Sequence, residues 1–343
     1  MKIYTSIFQE IVSTEALFNA WAEFRKGKRN RRDVQGYERN LERNIFRLHR
    51  ELKAKAYRHG AYGSFFIHDP KLRHIRKAYV RDRLVHQAVY TVLMRIFEPR
   101  FIHDLYSSRI GKGTHKGVEA LRGAARKVSR NNTRPAWALK CDVRKFYDSV
   151  DHEVLIGLLR VTIHDPDALW LCEEIIRQFN HEGTPGKGVP IGNLTSQIFT
   201  NIYLNELDQF VKRDLRSKYY IRFADDFLLL SHRRTDLEDL LPKIRAFLTE
   251  ELCLELHPKK VSFRPLHQGI DFLGYVTLPH HRVLRTTTRR RMFRKLSARV
   301  GEYFEGELTT ESMNQTLQSY LGILSHADTY ELQQRVRNEF CWR

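Results

Sequence analysis

The chain has 343 residues, 42% of them hydrophobic, a globular proportion that excludes wholesale disorder and leaves room for one large core or a few modest ones. Lys and Arg number 59 against 40 Asp and Glu, a formal net charge of +19, which speaks of polyanionic partners rather than of fold. No run approaches the roughly 18 apolar residues of a membrane-spanning helix, so nucleic acid comes before an anionic membrane as the expected partner, and no membrane role is expected. The start, MKIYTSIFQEIVSTEALF, is broken by polar residues and lacks the apolar core of a signal peptide. Cys141, Cys172, Cys253 and Cys341 are scattered without zinc-type pairing or a disulfide framework, so a reduced, cytoplasmic compartment is expected.

Residues 1–60 read as helical and basic. RKGKRNRR (25–32) holds six cations, and ERNLERNIFRLHRELKAKAY (38–57) has apolar residues near helical spacing. The stretch 64–97 reads as a strand and turn, then a long amphipathic helix from about Asp82. AWALKCDV (136–143) suits a buried strand with Asp142 near its end, and Asp151 suits the N-cap of the helix HEVLIGLLR. A turn-rich segment, NHEGTPGKGVPIGN (180–193), feeds a helix in which Leu194, Ile198 and Ile202 lie on one stripe with Phe199, Tyr203 and Phe210 beside it, the pattern of a largely buried element. Tyr219–Phe223 and Phe227–Ser231 are β-prone runs flanking Ala-Asp-Asp, which predicts a tight hairpin with the acids at its tip. An amphipathic helix over 234–256, a strand over 269–278 and a basic helical tail from about Arg282 follow. Between Arg282 and Arg299 there are eight cations and no anion. Irregular alternation with a hairpin points to an α+β fold rather than a doubly wound parallel sheet.

Adjacent carboxylates in apolar surroundings raise each other's pKa and strain a folded chain, so Asp225 and Asp226 ask for a purpose. Three acids, Asp142, Asp225 and Asp226, each at the edge of a predicted core strand, could converge if those strands are neighbours. Mg²⁺ takes hard oxygen ligands and keeps waters or substrate phosphates, and two such ions about 4 Å apart serve in-line displacement at phosphorus. The plain alternative for a lone Asp-Asp is a polar turn. Two other local patterns are set aside. IGKGTHKG (110–117) lacks the Gly-Lys-Ser/Thr ending of a phosphate loop, and His280-His281 has no partner ligands for a metal and reads as a solvated turn.

Seven stretches in order resemble the reverse transcriptases, over roughly residues 65–300. KLRHIRKAYVRDRLVHQAVY (71–90) and YSSRIGKGTHKGVEAL (106–121) resemble the two fingers motifs, and KCDVRKFYDSV (140–150) the motif of the first catalytic aspartate. VPIGNLTSQIFTNIYLNELDQFV (189–211) resembles the Gly-containing Ser-Gln helix motif, and IRFADDFLLL (221–230) the Tyr-X-Asp-Asp hairpin with Phe223 in place of Tyr. HPKKVSF (257–263) is similar to the lysine-bearing motif and GIDFLGY (269–275) to the primer-grip hairpin. The resemblance implies a right-hand polymerase: a basic helical N-terminal extension (1–60), fingers (61–135), a palm with an antiparallel sheet and the catalytic hairpin (136–278), and a helical basic thumb (279–343). It implies metal ligation by Asp142, Asp225 and Asp226 with the backbone of Val143, two Mg²⁺ ions (Mn²⁺ as a substitute), and dNTPs as substrates. Tyr147 falls where the family places its steric gate against a ribose 2′-OH, against the plainer reading of a buried aromatic. Arg73, with Lys71 or Arg76 nearby, would face the triphosphate through a planar fork, and Lys259 and Lys260 compete for one role near it, Lys260 being retained. Ile191 and Gln197 would line the nucleotide pocket. Arg285, Arg289, Arg290, Arg291 and Arg294 of the thumb would track the template–primer backbone, against the plainer reading of a solvated helix face. About 70 residues follow FLGY, enough for a thumb but not for a nuclease domain as well.

Many relatives carry Gln-Gly-X-X-X-Ser-Pro where this chain has Ile191-Gly192-Asn193-Leu194-Thr195-Ser196-Gln197. That stretch resembles the reverse transcriptases of diversity-generating retroelements, as does GIDFLGY followed by HRVLR (281–285). An apolar Ile beside the nascent base pair loses hydrogen-bond discrimination, so error-prone copying of an RNA template is implied, with a structured cognate non-coding RNA and a small basic accessory protein as partners. Two readings stand beside it: a bacterial antiphage-defence enzyme copying a partner RNA, and a non-catalytic RNA-binding protein that keeps a polymerase fold. The intact acid triad argues against the last. A bacterial or phage-encoded origin is expected.

Overall fold

The computed structural model of the chain describes residues 2–69 and 71–340. Four helices open it: α1 (Phe8–Val12), α2 (Thr14–Phe24), α3 (Arg32–Glu38) and α4 (Leu41–Lys53). A hairpin of β1 (Tyr62–Ile67) and β2 (Arg73–Ala78) leads into α5 (Val80–Phe97), followed by α6 (Thr114–Val128), β3 (Trp137–Asp142), α7 (Phe146–Ser149), α8 (His152–Arg160), α9 (Pro166–Arg177) and α10 (Leu194–Gln209). Next come β4 (Tyr220–Phe223), β5 (Asp226–Ser231), α11 (Arg234–Glu250), β6 (Ser262–Pro265), β7 (Ile270–Phe272), β8 (Tyr275–Thr277), β9 (Arg282–Leu284), α12 (Thr286–Phe304), α13 (Thr310–Leu324) and α14 (Tyr330–Phe340). Among the described residues no helix is long and apolar enough to cross a membrane. Cys141, Cys172 and Cys253 are free thiols; Cys341 lies outside the described residues.

The chain divides into two compact units. The first takes Met1–His103, Asp142–Arg216 and Pro242–Lys259. Its interior is built on α5, which packs against α2 and α10. Val85, Val89, Leu93 and Ile96 of α5, and Ile198, Phe199, Tyr203 and Leu207 of α10, are all buried. The stripe of Leu194, Ile198 and Ile202 with Phe199 and Tyr203 beside it predicted a largely buried helix, and α10 is one. Asp151 caps α8 as expected, accepting from the amides of Glu153 and Val154.

The second unit takes Asp104–Cys141, Ser217–Leu241 and Lys260–Arg343. It holds a four-stranded sheet in the order β4-β5-β3-β6, with β4/β5 and β3/β6 antiparallel. Helix α6 covers β4 and β5, and Leu121, Ala125, Ile221, Leu228, Leu230 and Phe272 share the core beneath it. A three-stranded antiparallel sheet, β7-β8-β9, adjoins three helices whose core is Met292, Leu296, Met313, Leu317, Leu324 and Val336.

Four expectations need correction. The segment after the first turn in 64–97 is a second strand, β2, and helix begins at Val80. The helix expected over 234–256 stops at Glu250, because Cys253 adopts φ 50° and the Leu254 amide reaches back to the Leu248 carbonyl at 2.8 Å, a left-handed helix stop made without glycine. The stretch 269–278, read as one strand from its pattern, is the hairpin that the resemblance of GIDFLGY implied, turned by Leu273 (φ 51°) and Gly274 (φ 91°). Arg282 begins strand β9, and the basic helix starts only at Thr286.

One polar chain runs through the core of the first unit. His59 Nδ1 donates to the Gly60 carbonyl (2.6 Å), which leaves Nε2 to accept from His86 Nε2 (2.8 Å). His86 Nδ1 then accepts from the Thr195 hydroxyl at 2.8 Å. Beside it Asp82 accepts from the Tyr57 hydroxyl (2.8 Å), the Gly60 amide (3.2 Å) and Arg81 (3.1 Å). This pattern needs both imidazoles neutral, and burial holds both below their ordinary value of 6.5. The unfolded chain therefore binds protons that the folded one refuses, so the stabilisation is complete above pH 6.5 and declines as pH falls below it. The unfolding free energy, followed by denaturant titration from pH 8 down to pH 5, should fall on the acid side with a slope of up to about 1.4 kcal/mol per pH unit for each histidine. His86→Leu should be less stable at neutral pH and shallower in slope; parallel curves for the two proteins would refute the assignment.

Candidate active site

The acid-bearing hairpin is tighter than its sequence suggests. Phe223 pairs directly with Asp226, so the turn consists of Ala224 and Asp225 alone and Asp226 is the first residue of β5. Phe227, Leu228, Leu229 and Leu230 behind it are buried. Ala224 lies at φ 53°, a conformation that favours glycine. Two groups hold it there: the Ser107 hydroxyl accepts the Ala224 amide (2.9 Å), and Arg222 Nη1 donates to the Ala224 carbonyl (3.1 Å). The Arg222 backbone also pairs with the segment 104–106, through Arg222 N to Asp104 O (3.0 Å) and Tyr106 N to Arg222 O (2.9 Å). Sequence reasoning missed Ser107 and Arg222; an Arg set between Ile221 and Phe223 in a β-prone apolar run was the available signal, and the structure buries it fully.

Lys140 of β3 was missed as well. Its ammonium stands 3.3 Å from Asp226 Oδ2 and donates to the Asp271 carbonyl at 2.9 Å. Strand side chains alternate, so Lys140 and Asp142 leave β3 on the same side. Asp142 is the last residue of β3, and its carbonyl accepts the His257 amide (2.8 Å) while Val143 bridges Leu256, which fixes the main chain there. Among the described residues no three His, Cys, Asp or Glu side chains form a ready-made metal cage. The donor chemistry at the hairpin, carboxylate oxygens with one ammonium already against them, fits a hard cation completed by water or phosphate and not a protein-only cage.

A second cluster lies in the first unit. Tyr147, half-buried in α7, accepts the Val189 amide on its carbonyl (2.7 Å). Ser196 donates to the Pro190 carbonyl (2.7 Å), and the Ile191 carbonyl accepts the Arg76 amide (2.9 Å). Asn193 adds two bonds to the same strand: Oδ1 accepts the Ala78 amide (3.0 Å) and Nδ2 donates to the Arg76 carbonyl (2.7 Å). Gly192 has φ 116°, and a Cβ there would meet Ile75 Cγ2 at 2.7 Å. One hydrogen-bonded frame thus carries Tyr147, Ile191 and β2, with Gln197 exposed on the first turn of α10. Arg73 opens β2 fully exposed and Lys71 is exposed before it, whereas Arg76 is engaged by Glu182 (2.6 Å).

Of the remaining cations, Lys259 is exposed and Lys260 half-buried ahead of β6. Arg289, Arg290 and Arg294 stand exposed on α12, Arg291 is half-buried, and Arg285 pairs with Asp271. His280 and His281 are exposed.

Residues 67–277 match the family model described as reverse transcriptase (RNA-dependent DNA polymerase). The chain is 25% identical over 255 residues to Protein YkfC of Escherichia coli (strain K12), covering 64% of this chain and 65% of that protein. It is 26% identical over 263 residues to the group II intron-encoded protein LtrA of Lactococcus lactis subsp. cremoris, covering 57% of this chain and 42% of that one. The chain therefore spans 65% and 42% of the length of these two relatives. In fold it is similar to apo telomerase from Candida tropicalis truncated from the C-terminal domain, with a TM-score of 0.50 and 13% identity over 65% of this chain and 55% of that one.

The left-handed turn residue is testable by denaturant unfolding. Ala224→Gly should raise stability by about 0.5–1 kcal/mol and Ala224→Val lower it by about 1–2 kcal/mol. Equal midpoints for all three proteins would show that the turn is not strained.

Proposed function

Because the chain belongs to the reverse transcriptase family, with its right-hand polymerase fold, we propose that it acts as an RNA-directed DNA polymerase, extending a primer with dNTPs along an RNA template. One observation carries the reading: two acids at the end of a buried hairpin, beside the strand that ends in Asp142. On this reading Asp142, Asp225 and Asp226, with the main chain of Val143, hold divalent cations. When bound by these residues, two Mg²⁺ ions, or Mn²⁺ in their place, would lower the pKa of the primer 3′-hydroxyl and offset charge on the leaving pyrophosphate. The chain's own residues do the rest. Lys140 balances the Asp226 carboxylate from the β3 side, and Ser107 and Arg222 keep the turn in register. Exposed Arg73, with Lys71, presents a planar fork to the triphosphate, Lys260 assists, and Tyr147 closes the space a ribose 2′-OH would need. In the reaction the 3′-hydroxyl gives up its proton to solvent, its oxygen bonds to the α-phosphorus, the bond from that phosphorus to the bridging β-phosphate oxygen breaks, and pyrophosphate leaves. Fingers over 61–135, palm over 136–278 and thumb over 279–343, after the basic extension 1–60, complete the assignment. Arg289, Arg290 and Arg294 on α12 suit a duplex backbone, with a salt-dependent grip.

The subtype we favour is mutagenic copying in a diversity-generating retroelement, in the cytoplasm, on a structured cognate RNA and with a small basic accessory protein. Ile191 supports it. On this reading the apolar Ile191 side chain faces the nascent base pair, where it offers no hydrogen bond to discriminate between bases.

Primer extension on an RNA template with Mg²⁺ tests the core of this reading. Asp225→Asn and Asp226→Asn should each lower incorporation by at least about 10³-fold while the protein stays folded and binds RNA; retained incorporation would remove these acids from the site. Tyr147→Ala should admit ribonucleotides, raising the rNTP-to-dNTP ratio in kcat/KM by about 10²-fold or more, and an unchanged ratio would return Tyr147 to the role of a packing aromatic.

A further inference from the structure

Asn193 occupies the N-cap of α10, with extended backbone (φ −115°, ψ 149°), yet its side chain makes no capping hydrogen bond. Asn is among the best N-cap residues, and a cap contributes about 1 kcal/mol, so a side chain diverted from that role serves another. Asn193 is 3% exposed, and its carboxamide makes its two bonds to β2, accepting from Ala78 N and donating to Arg76 O. A peptide group in a neighbouring strand would offer the same donor and acceptor to the same two residues. The main chain supplies one earlier rung, from Arg76 N to Ile191 O, and then passes Gly192, where Ile75 leaves no room for a Cβ. Where the backbone turns into α10 and can no longer pair, the Asn193 side chain continues the ladder. The other neighbours of this turn anchor elsewhere: Thr195 to His86 and Ser196 to Pro190.

We propose that Asn193 is a positioning residue that sets the spacing between β2, with Arg73 at its start, and the loop carrying Ile191. It touches no substrate itself. It holds the triphosphate-facing strand at a set distance from the residue facing the nascent base pair, so its removal weakens capture of the incoming nucleotide more than the chemical step. The role in nucleotide capture rests on the polymerase reading above; the latch itself does not.

Asn193→Ser separates the two contributions, because serine is an equally good N-cap but too short to span to β2. Asn193→Asp keeps the length and the acceptor, and sets a carboxylate against the Arg76 carbonyl where a donor stood. Both variants should raise the KM for dNTP about tenfold with kcat within about threefold. A KM within about twofold of the parent in both variants, or a loss confined to kcat, overturns the positioning role. Hydrogen exchange at the Ala78 amide, read without substrate, should speed up in Asn193→Ser by about tenfold or more; unchanged protection overturns the latch. If the parent protein incorporates no nucleotide, the polymerase reading fails separately, and equilibrium binding of a dNTP to parent and variant decides instead, equal affinities overturning the positioning role.

Discussion

Two carboxylates on consecutive residues, at the end of a hairpin whose strands are buried, form the constraint around which the second unit is organised. Such charges are costly unless neighbours compensate them. Compensation is visible at three points of the turn: an ammonium from β3 against Asp226 Oδ2, a hydroxyl under the Ala224 amide, a buried guanidinium on the Ala224 carbonyl. A turn that needed only to reverse the chain would use glycine and a few solvated side chains. This one keeps alanine in a left-handed conformation and buries an arginine to support it, and strain held by surrounding structure is characteristic of sites that do chemistry.

The first unit solves a different problem, that of holding irregular backbone in a set place. The loop before α10 has no regular secondary structure, and its polar groups would be wasted if left to water. They are distributed instead: Val189 to α7, Ile191 and Asn193 to β2, Ser196 back to Pro190, Thr195 to a histidine pair. The consequence is a loop as firmly held as a strand, with Tyr147, Ile191 and β2 in one frame. The exposed cations follow the opposite rule. Arg73, Arg289, Arg290 and Arg294 are left in solvent, where a polyanion can recruit them, while Arg76, Arg222 and Arg285 are taken up by internal partners.

Much was legible in the sequence because it depends on neighbours a few residues away. The apolar runs on either side of Ala-Asp-Asp state a hairpin by their period, the apolar stripe and flanking aromatics of 194–210 state a largely buried helix, and Asp151 states its own cap. The ordered motifs, from 71 to 275, pointed to the family, and the family match covers residues 67–277. Errors came where a local signal was missing or belonged to something distant. The stop after Glu250 uses Cys253 rather than glycine, and Leu273 masks the turn inside 269–278.

Residue types and their order thus determined the family, the acid pair and the strong positive charge, since each is written in composition or short-range spacing. Only the tertiary structure decided that residues 73–78 form a strand, that Lys140 attends Asp226, and that Asn193 reaches Ala78 across 115 positions instead of capping its own helix. The reason is physical. A hydrogen bond between groups so far apart in the chain leaves no periodic trace along it, and exists only once packing has brought two buried, unsatisfied polar groups to the same place.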